Sequence, residues 1–519
     1  MKLQERLIAF WFLISLATAH AQTNPIYENL PVGKYEVGFK IITLVDDTRV
    51  TMPEYNYMGE KNDGDRTRKI TIHLWYPANV NSGKRKLTYG EYCYNHLLTS
   101  TNAILTEEQK TAQFNTRRTA VNRWFGQPTD EAWKRLLETP LMAHSEASAI
   151  QDKFPLLIGM LRPLSTSITN ELMASNGYVV AMLLQENFNV SSFPDMALSD
   201  IPSLQLVISR LMKTENINEN AIGTFGFSGS GFVQVLLAMH DYRIKALADI
   251  ESGIYMDGLY EPLATSNYYS PSKLRVPFLH IFSRDLSRQE KFIADFEVKT
   301  KFSERYQLLL NQPGLHHWDF AAEGYTSCLL LNNRGEAQNN IQQSFELANT
   351  YLLNFFNAKL KADLAGVKFI SSKPSLPKIK SDLWDIKVLG PLKPPPTVSE
   401  FESIIRKKGI QEAVSIVNST LKNDSSSNLL QGFTLNNLGY TFLNEKKYQE
   451  GIGVFTLNAN LHPEAAGWID SLAEAYEAAE DKENMKRISQ QVLTILSKKE
   501  ALTDGEKALK ETAERRMKM

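Results

Sequence analysis

Gly223-Thr224-Phe225-Gly226-Phe227-Ser228-Gly229-Ser230-Gly231 is the stretch on which the reading of this chain turns. An apolar, strand-like run from Ala221 to Phe227 stops at Ser228, and a helix-like run from Phe232 to His240 follows. Only Gly229, Ser230 and Gly231 lie between them. A strand-to-helix turn this tight lifts a serine hydroxyl clear of the backbone, which is the geometry of a nucleophile elbow. The usual pattern is Gly-x-Ser-x-Gly; here Ser230 stands at the last glycine position, and serine is small enough to keep the turn. Without chemistry the same residues make an ordinary glycine-rich connection. A serine hydroxyl is a weak nucleophile, so the assignment depends on a base and an orienting acid elsewhere.

The surrounding pattern is a strand–helix alternation. Phe154 to Met160, Tyr178 to Leu184, Ala221 to Phe227, Lys245 to Ile250, Val276 to Phe282 and Tyr306 to Leu310 read as strands. Thr169 to Asn176, Ser203 to Lys213 and Phe232 to His240 read as helices between them. This rhythm predicts a mostly parallel sheet covered by helices on both faces. Two earlier alternating runs, Tyr35 to Leu44 and Lys69 to Tyr76, add strands at the front. Residues 85–150 have a helical pattern, with Trp124 and Trp133 at core positions, and read as an insertion before the central sheet.

In a sheet of this kind the order along the chain is serine, acid, histidine. Gly314-Leu315-His316-His317-Trp318-Asp319-Phe320 supplies two histidines after the last parallel strand. Adjacent loop residues point in different directions, so only one of His316 and His317 meets the serine. Two carboxylates compete as the acid. Asp249 ends the strand after the elbow, and Asp285 follows the strand after that; Glu251 is a weaker third candidate.

With those residues in place, the chain resembles the α/β hydrolases of the secreted platelet-activating-factor acetylhydrolase and dienelactone hydrolase group. Val37-Gly38-Phe39 with Asp46 and Arg49, then Ile72-His73-Leu74-Trp75-Tyr76-Pro77-Ala78, looks like the family's N-terminal strands. Phe154-Pro155-Leu156-Leu157 and Ala174-Ser175-Asn176-Gly177-Tyr178-Val179-Val180-Ala181 look like its third and fourth. The likeness covers roughly residues 33–360. It implies Ser228 as nucleophile, favours His317 over His316 through Gly314-x-x-His317-x-x-Phe320, and favours Asp249 through the segment from Tyr242-Arg243 onward. Other α/β hydrolases place the acid after the following strand, where Asp285 stands. One departure concerns the oxyanion hole. The family's His-Gly pair after the third strand is replaced by Gly159-Met160-Leu161-Arg162-Pro163, and proline has no N–H to donate. The Gly229 N–H remains, and Leu161 or Arg162 is left to supply the second donor; the loss of one donor costs about 10²–10³ in rate. The altered loop also opens a second function class, a hydrolase-fold protein that binds rather than catalyses.

The chain has 519 residues, enough for two or three domains. Net charge is −1, and nothing in it points to nucleic acid or to an anionic membrane surface. Lys2 and Arg6, the apolar run Leu7 to Leu16 and Ala19-His20-Ala21 read as a signal peptide over 1–21, too short to span a bilayer. The expectation is an exported protein, periplasmic or extracellular, without a transmembrane segment. Cys93 and Cys328 are the two cysteines; an oxidising compartment permits a disulfide between them, and two unpaired buried thiols are the equal alternative. A hydrolase domain over 22–370 is followed by a proline-rich connector over 371–397, in which Trp384 and Ile386 imply contact with a domain. Residues 398–519 are helical. Leu438, Gly439 and Phe442 recur as Leu472, Ala473 and Tyr476 after 34 residues, and Gly451, Phe455 and Pro463 stand where a tetratricopeptide repeat has a small residue, an aromatic and a proline. The segment Glu400 to Leu421 reads as a degenerate first unit.

These readings predict an α/β-hydrolase sheet followed by an all-α repeat domain, and a serine hydrolase that cleaves a small-molecule ester without metal or organic cofactor. The competing reading is a catalytically impaired hydrolase fold that binds a protein partner through its repeats. A serine peptidase ranks below ester hydrolysis, because the sequence lacks a propeller or other gating domain.

Overall fold

The structure, a computed structural model, describes residues 24–519 except 51–53, 56–57, 62–65, 81–83, 95–104, 161–163, 185–192, 253–268, 285–289, 333, 377–378 and 426. The expected signal peptide, Trp124's side chain, Leu161, Arg162 and Asp285 all fall outside what is described. Contacts divide the chain between Pro391 and Leu392.

The first unit is built on one sheet. Its strands are β1 (Glu36–Val50), β2 (Thr67–Asn79), β3 (Lys86–Thr88), β4 (Pro140–Ser145), β5 (Ser148–Ala149), β6 (Phe154–Met160), β7 (Val179–Leu183), β8 (Ile217–Phe227), β9 (Ile244–Ile250), β10 (Phe278–Ser283), β11 (Arg305–Leu310) and β12 (Trp384–Leu389). The order across the sheet is β12-β11-β10-β9-β8-β6-β7-β2-β1-β4-β3, with β5 beside β2. The run from β7 through β6, β8, β9 and β10 to β11 is parallel throughout. β2 joins β7, and β12 joins β11, in antiparallel pairing.

Successive residues of each central strand face opposite sides, as the two-residue period requires. Leu157, Val180 and Phe225 pack in one core with helices Ser167–Ser175 and Gln338–Leu360. Leu156, Ile158 and Ala181 pack in the other with helices Phe193–Thr214 and Gly229–His240. All seven residues of β6 are buried, as a strand covered on both faces must be. This is an α/β-hydrolase sheet, and the C-terminal ends of its parallel strands open on one rim.

Two boundaries differ from expectation. The insertion over 85–150 does contain helices Tyr89–Tyr94, Glu107–Phe125 and Asp130–Glu138, with Trp133 buried, but it also yields β3, β4 and β5. Leu141 and Ala143 alternate inward from β4, which pairs with β1 and extends the sheet. The 371–397 segment is likewise no uniform connector. Trp384 is 2% exposed and packs edge-on to Tyr351, with the Lys373 ammonium over its ring, so the middle of the segment becomes edge strand β12.

One buried carboxylate ties the insertion to the core. Glu171 accepts from the Tyr27 and Tyr92 hydroxyls and from the Met142 and Ala143 N–H groups, the last three at 2.7, 2.9 and 3.1 Å. Glu171→Ala would strand these donors in the core. Unfolding titrations should register a loss of about 2–4 kcal/mol, and a loss below about 1 kcal/mol would show the node to be dispensable.

The second unit is all-helical. Helices beginning at Val398, Gly432 and Ala466 start 34 residues apart, and each is followed by a second helix, Ile410–Asn423, Tyr448–Leu461 and Lys482–Leu496. Asp504–Lys518 closes the chain. Leu438 and its counterpart Leu472 are equally buried, and a Cβ on Gly439 would lie 2.6 Å from the Phe455 ring, which explains the small residue there. Among the described residues no helix is long and apolar enough to cross a membrane. Cys93 and Cys328 are both free and buried, so the permitted disulfide is not formed. Burial pushes each thiol up to about 12, which leaves both unreactive.

Candidate active site

The turn after β8 has the predicted sharpness. Ser228 sits at φ 57°, ψ −130°, a strained conformation for a residue with a side chain. Its N–H bonds the Ile250 carbonyl at 2.9 Å, which anchors the turn to the neighbouring strand end. A Cβ on Gly226 would meet the Gly231 nitrogen and the Ser230 hydroxyl, both at 2.7 Å, so the chain can cross itself here only with glycine.

Ser230, the irregular residue of the motif, fastens this crossing. Its hydroxyl donates to the Phe227 carbonyl at 2.8 Å and lies 2.9 Å from the Phe227 N–H as acceptor. Glycine would fit but would leave the end of β8 without these bonds. Ser230→Gly should lower stability by about 1 kcal/mol in thermal or denaturant unfolding and leave Ser228 accessible. Loss of all reactivity at Ser228 would contradict this account.

As cap of helix Gly229–His240, Ser228 makes no side-chain bond to the helix. Its hydroxyl lies 2.8 Å from His317 Nε2 instead. His317 opens the short 3₁₀ turn His317–Phe320 after β11. The Phe227 ring stacks on the imidazole at 4.8 Å between centroids and 22° between planes. His316 is exposed at the head of the turn, and it does not join the serine. The structure therefore brings Ser228 and His317 together and leaves His316 apart.

The acid facing His317 is Glu251 rather than Asp249. Glu251 Oε2 is 3.3 Å from His317 Nδ1, and its other oxygen accepts from the Ser283 N–H. It stands one residue past β9 with φ 50°, and its N–H bonds the Ile281 carbonyl at 2.8 Å. Its side chain is 3% exposed. Asp249 stops short. It lies inside β9, opposite His280 on β10, and its carboxylate binds His280 Nδ1 in a wholly buried pair. Burial pushes the Asp249 carboxyl above the usual carboxylate range, against the pull of His280. A position two residues along the strand direction carries a side chain up to the rim, which is why Glu251 reaches the imidazole. The sequence signal was present: Asp249 is embedded in Ala246-Leu247-Ala248 and Ile250, whereas Glu251 opens the polar Glu251-Ser252-Gly253 exit.

Gly229 follows Ser228 as the first helical residue, where an N–H has no intrahelical acceptor and is suited to meet developing negative charge. Among the described residues no group of three or more His, Cys, Asp or Glu side chains is arranged to hold a metal ion.

No protein-family model matches the chain, and no curated protein matches it. Among solved structures, the chain is similar to a ferulic acid esterase from Streptomyces cinnamoneus at 16% identity and a TM-score of 0.45, covering 69% of this chain and 98% of that one.

Proposed function

We propose that this protein is a serine hydrolase that cleaves carboxylic esters through an acyl-enzyme. One observation carries the reading: a serine on a strained strand-to-helix turn has its hydroxyl 2.8 Å from an imidazole whose far nitrogen faces a buried carboxylate. Nucleophile, base and orienting acid are the parts acyl transfer needs.

In this scheme Ser228 Oγ attacks the ester carbonyl as His317 Nε2 takes its proton. The oxyanion forms against the Gly229 N–H, with Leu161 proposed as second donor. His317 then protonates the departing alcohol, and a water molecule activated by the same imidazole releases the acid. Glu251 keeps the His317 proton on Nδ1 and stabilises the imidazolium that forms. The buried Phe227 ring against His317 limits rotation of the base. Export through residues 1–21 and a protein partner for the tetratricopeptide-like unit belong to the same proposal.

The test is labelling by a fluorophosphonate probe together with turnover of short-chain nitrophenyl esters. A folded protein that takes no label and turns over no ester would refute the proposal. In that case the 34-residue helical spacing favours a binding module, read by capture of a partner on the full chain.

A further inference from the structure

The loop that presents His317 is held by a buried ion pair with no part in the scheme above. Asp319, two residues beyond the base, is 1% exposed. Its Oδ2 accepts from the His316 N–H at 2.7 Å, which closes the 3₁₀ turn from the side chain. Both carboxylate oxygens also accept from Arg334, at 2.5 and 3.1 Å. The same guanidinium reaches the Gly314 carbonyl at 3.4 Å. Arg334 therefore grips the loop three residues before His317 and two residues after it. Gly314 itself has φ 81°, and a Cβ there would sit 2.7 Å from the Ala337 side chain, so the start of the loop is pressed against the turn that follows Arg334. Asn340 adds a bond to the Pro313 carbonyl at 2.9 Å.

The tether from the acid is weaker by comparison. Glu251 to His317 Nδ1 is 3.3 Å, whereas a charge-assisted N–H···O bond is typically about 2.7–2.9 Å. The second Glu251 oxygen is committed to the Ser283 N–H. The carboxylate can set the tautomer of the imidazole, but a single long contact does little to fix its height and tilt. Those are set by the backbone that carries the ring.

We infer that Asp319 and Arg334 are positioning residues for His317, a buried clamp that aims Nε2 at Ser228. The inference rests on the serine-hydrolase reading of the site. Neither residue touches substrate. Arginine suits the place because a planar fork holds a carboxylate in two directions and still reaches a carbonyl, which a lysine ammonium does not. Loosening the clamp shifts the base relative to the nucleophile, and a displacement near 1 Å costs on the order of 10²-fold in rate.

The experiment uses the full chain with ¹⁵N-labelled histidine. Arg334→Ala should lower kcat on a nitrophenyl ester roughly 10- to 100-fold while KM stays within about twofold. Fluorophosphonate labelling of Ser228 should slow by the same factor, and the His317 ring nitrogen signals should move or broaden. Arg334→Lys should recover part of the rate. If Arg334→Ala does not fold, Asp319→Asn gives the same readouts, since its amide oxygen still accepts from His316 while the charge partner of Arg334 is lost. A folded variant with wild-type kcat and unmoved His317 signals would overturn the clamp. Should the parent protein take no label while Arg334→Ala still moves the His317 signals, the hydrolase reading fails and the clamp stands.

Discussion

Replacing Ser228 with alanine is expected to lower kcat toward an activated ester by about 10⁴-fold or more and to abolish fluorophosphonate labelling. The size follows from the division of labour at the site. Without the hydroxyl no acyl-enzyme forms, and the remaining contribution comes from binding and from the Gly229 N–H. The fold should survive, because among the described residues the Ser228 hydroxyl bonds His317 alone, while the backbone bond to Ile250 and the Ser230 fastening are untouched. Unfolding free energy should change by about 1 kcal/mol or less. A variant that labels or turns over like the parent would remove Ser228 from the mechanism.

Glu251→Gln should cost about 10³–10⁴ in kcat, for a reason specific to this site. The Ser283 N–H demands an acceptor, so the glutamine amide turns its oxygen there and presents its NH₂ to His317 Nδ1. That forces Nδ1 to accept and puts the imidazole proton on Nε2, facing Ser228, where a lone pair is needed. Asp249→Asn separates the two carboxylates. It disturbs the buried pair with His280 and should lower stability by about 1–3 kcal/mol, with kcat at moderate temperature near the parent value. If Asp249→Asn were the substitution that removed turnover, with Glu251→Gln harmless, the acid would be reassigned.

The parallel sheet was legible because its central strands are short apolar runs alternating with segments of helical periodicity, and chain order then pointed to Ser228 and to the His316-His317 pair. The acid was legible only in part: the polar exit at Glu251 marked the strand end, but its identity depends on which side chain clears that end. Asp249 and Glu251 are two residues apart, and what disqualifies Asp249 is His280, a neighbour across the sheet but 31 residues away in sequence. Arg334 is similar: it meets Asp319 only because the chain doubles back after a helix, Ala322–Leu331. Ser230 was read from its size as a tolerated departure from glycine, and what size could not show was its capacity to bond the end of its own strand. β4 and β12 were hidden by their surroundings, one among helices and the other among prolines, since strands this short draw their stability from partners rather than from local pattern.

Strand β12 also determines where the chain can be divided. It ends at Leu389 and the next helix begins at Val398, so the boundary between the units, after Pro391, falls within a short run, 390–397, that carries no helix or strand. A cut at residue 371, where the proline-rich composition begins, would leave the first unit without Trp384 and would expose the hydrogen-bonding edge of β11 from Arg305 to Leu310. A bare edge of that length recruits other chains. Proteolysis that spares the first unit is therefore expected to act after Leu389, and a fragment ending there should run as a single monodisperse species in size-exclusion chromatography where one ending at residue 371 aggregates.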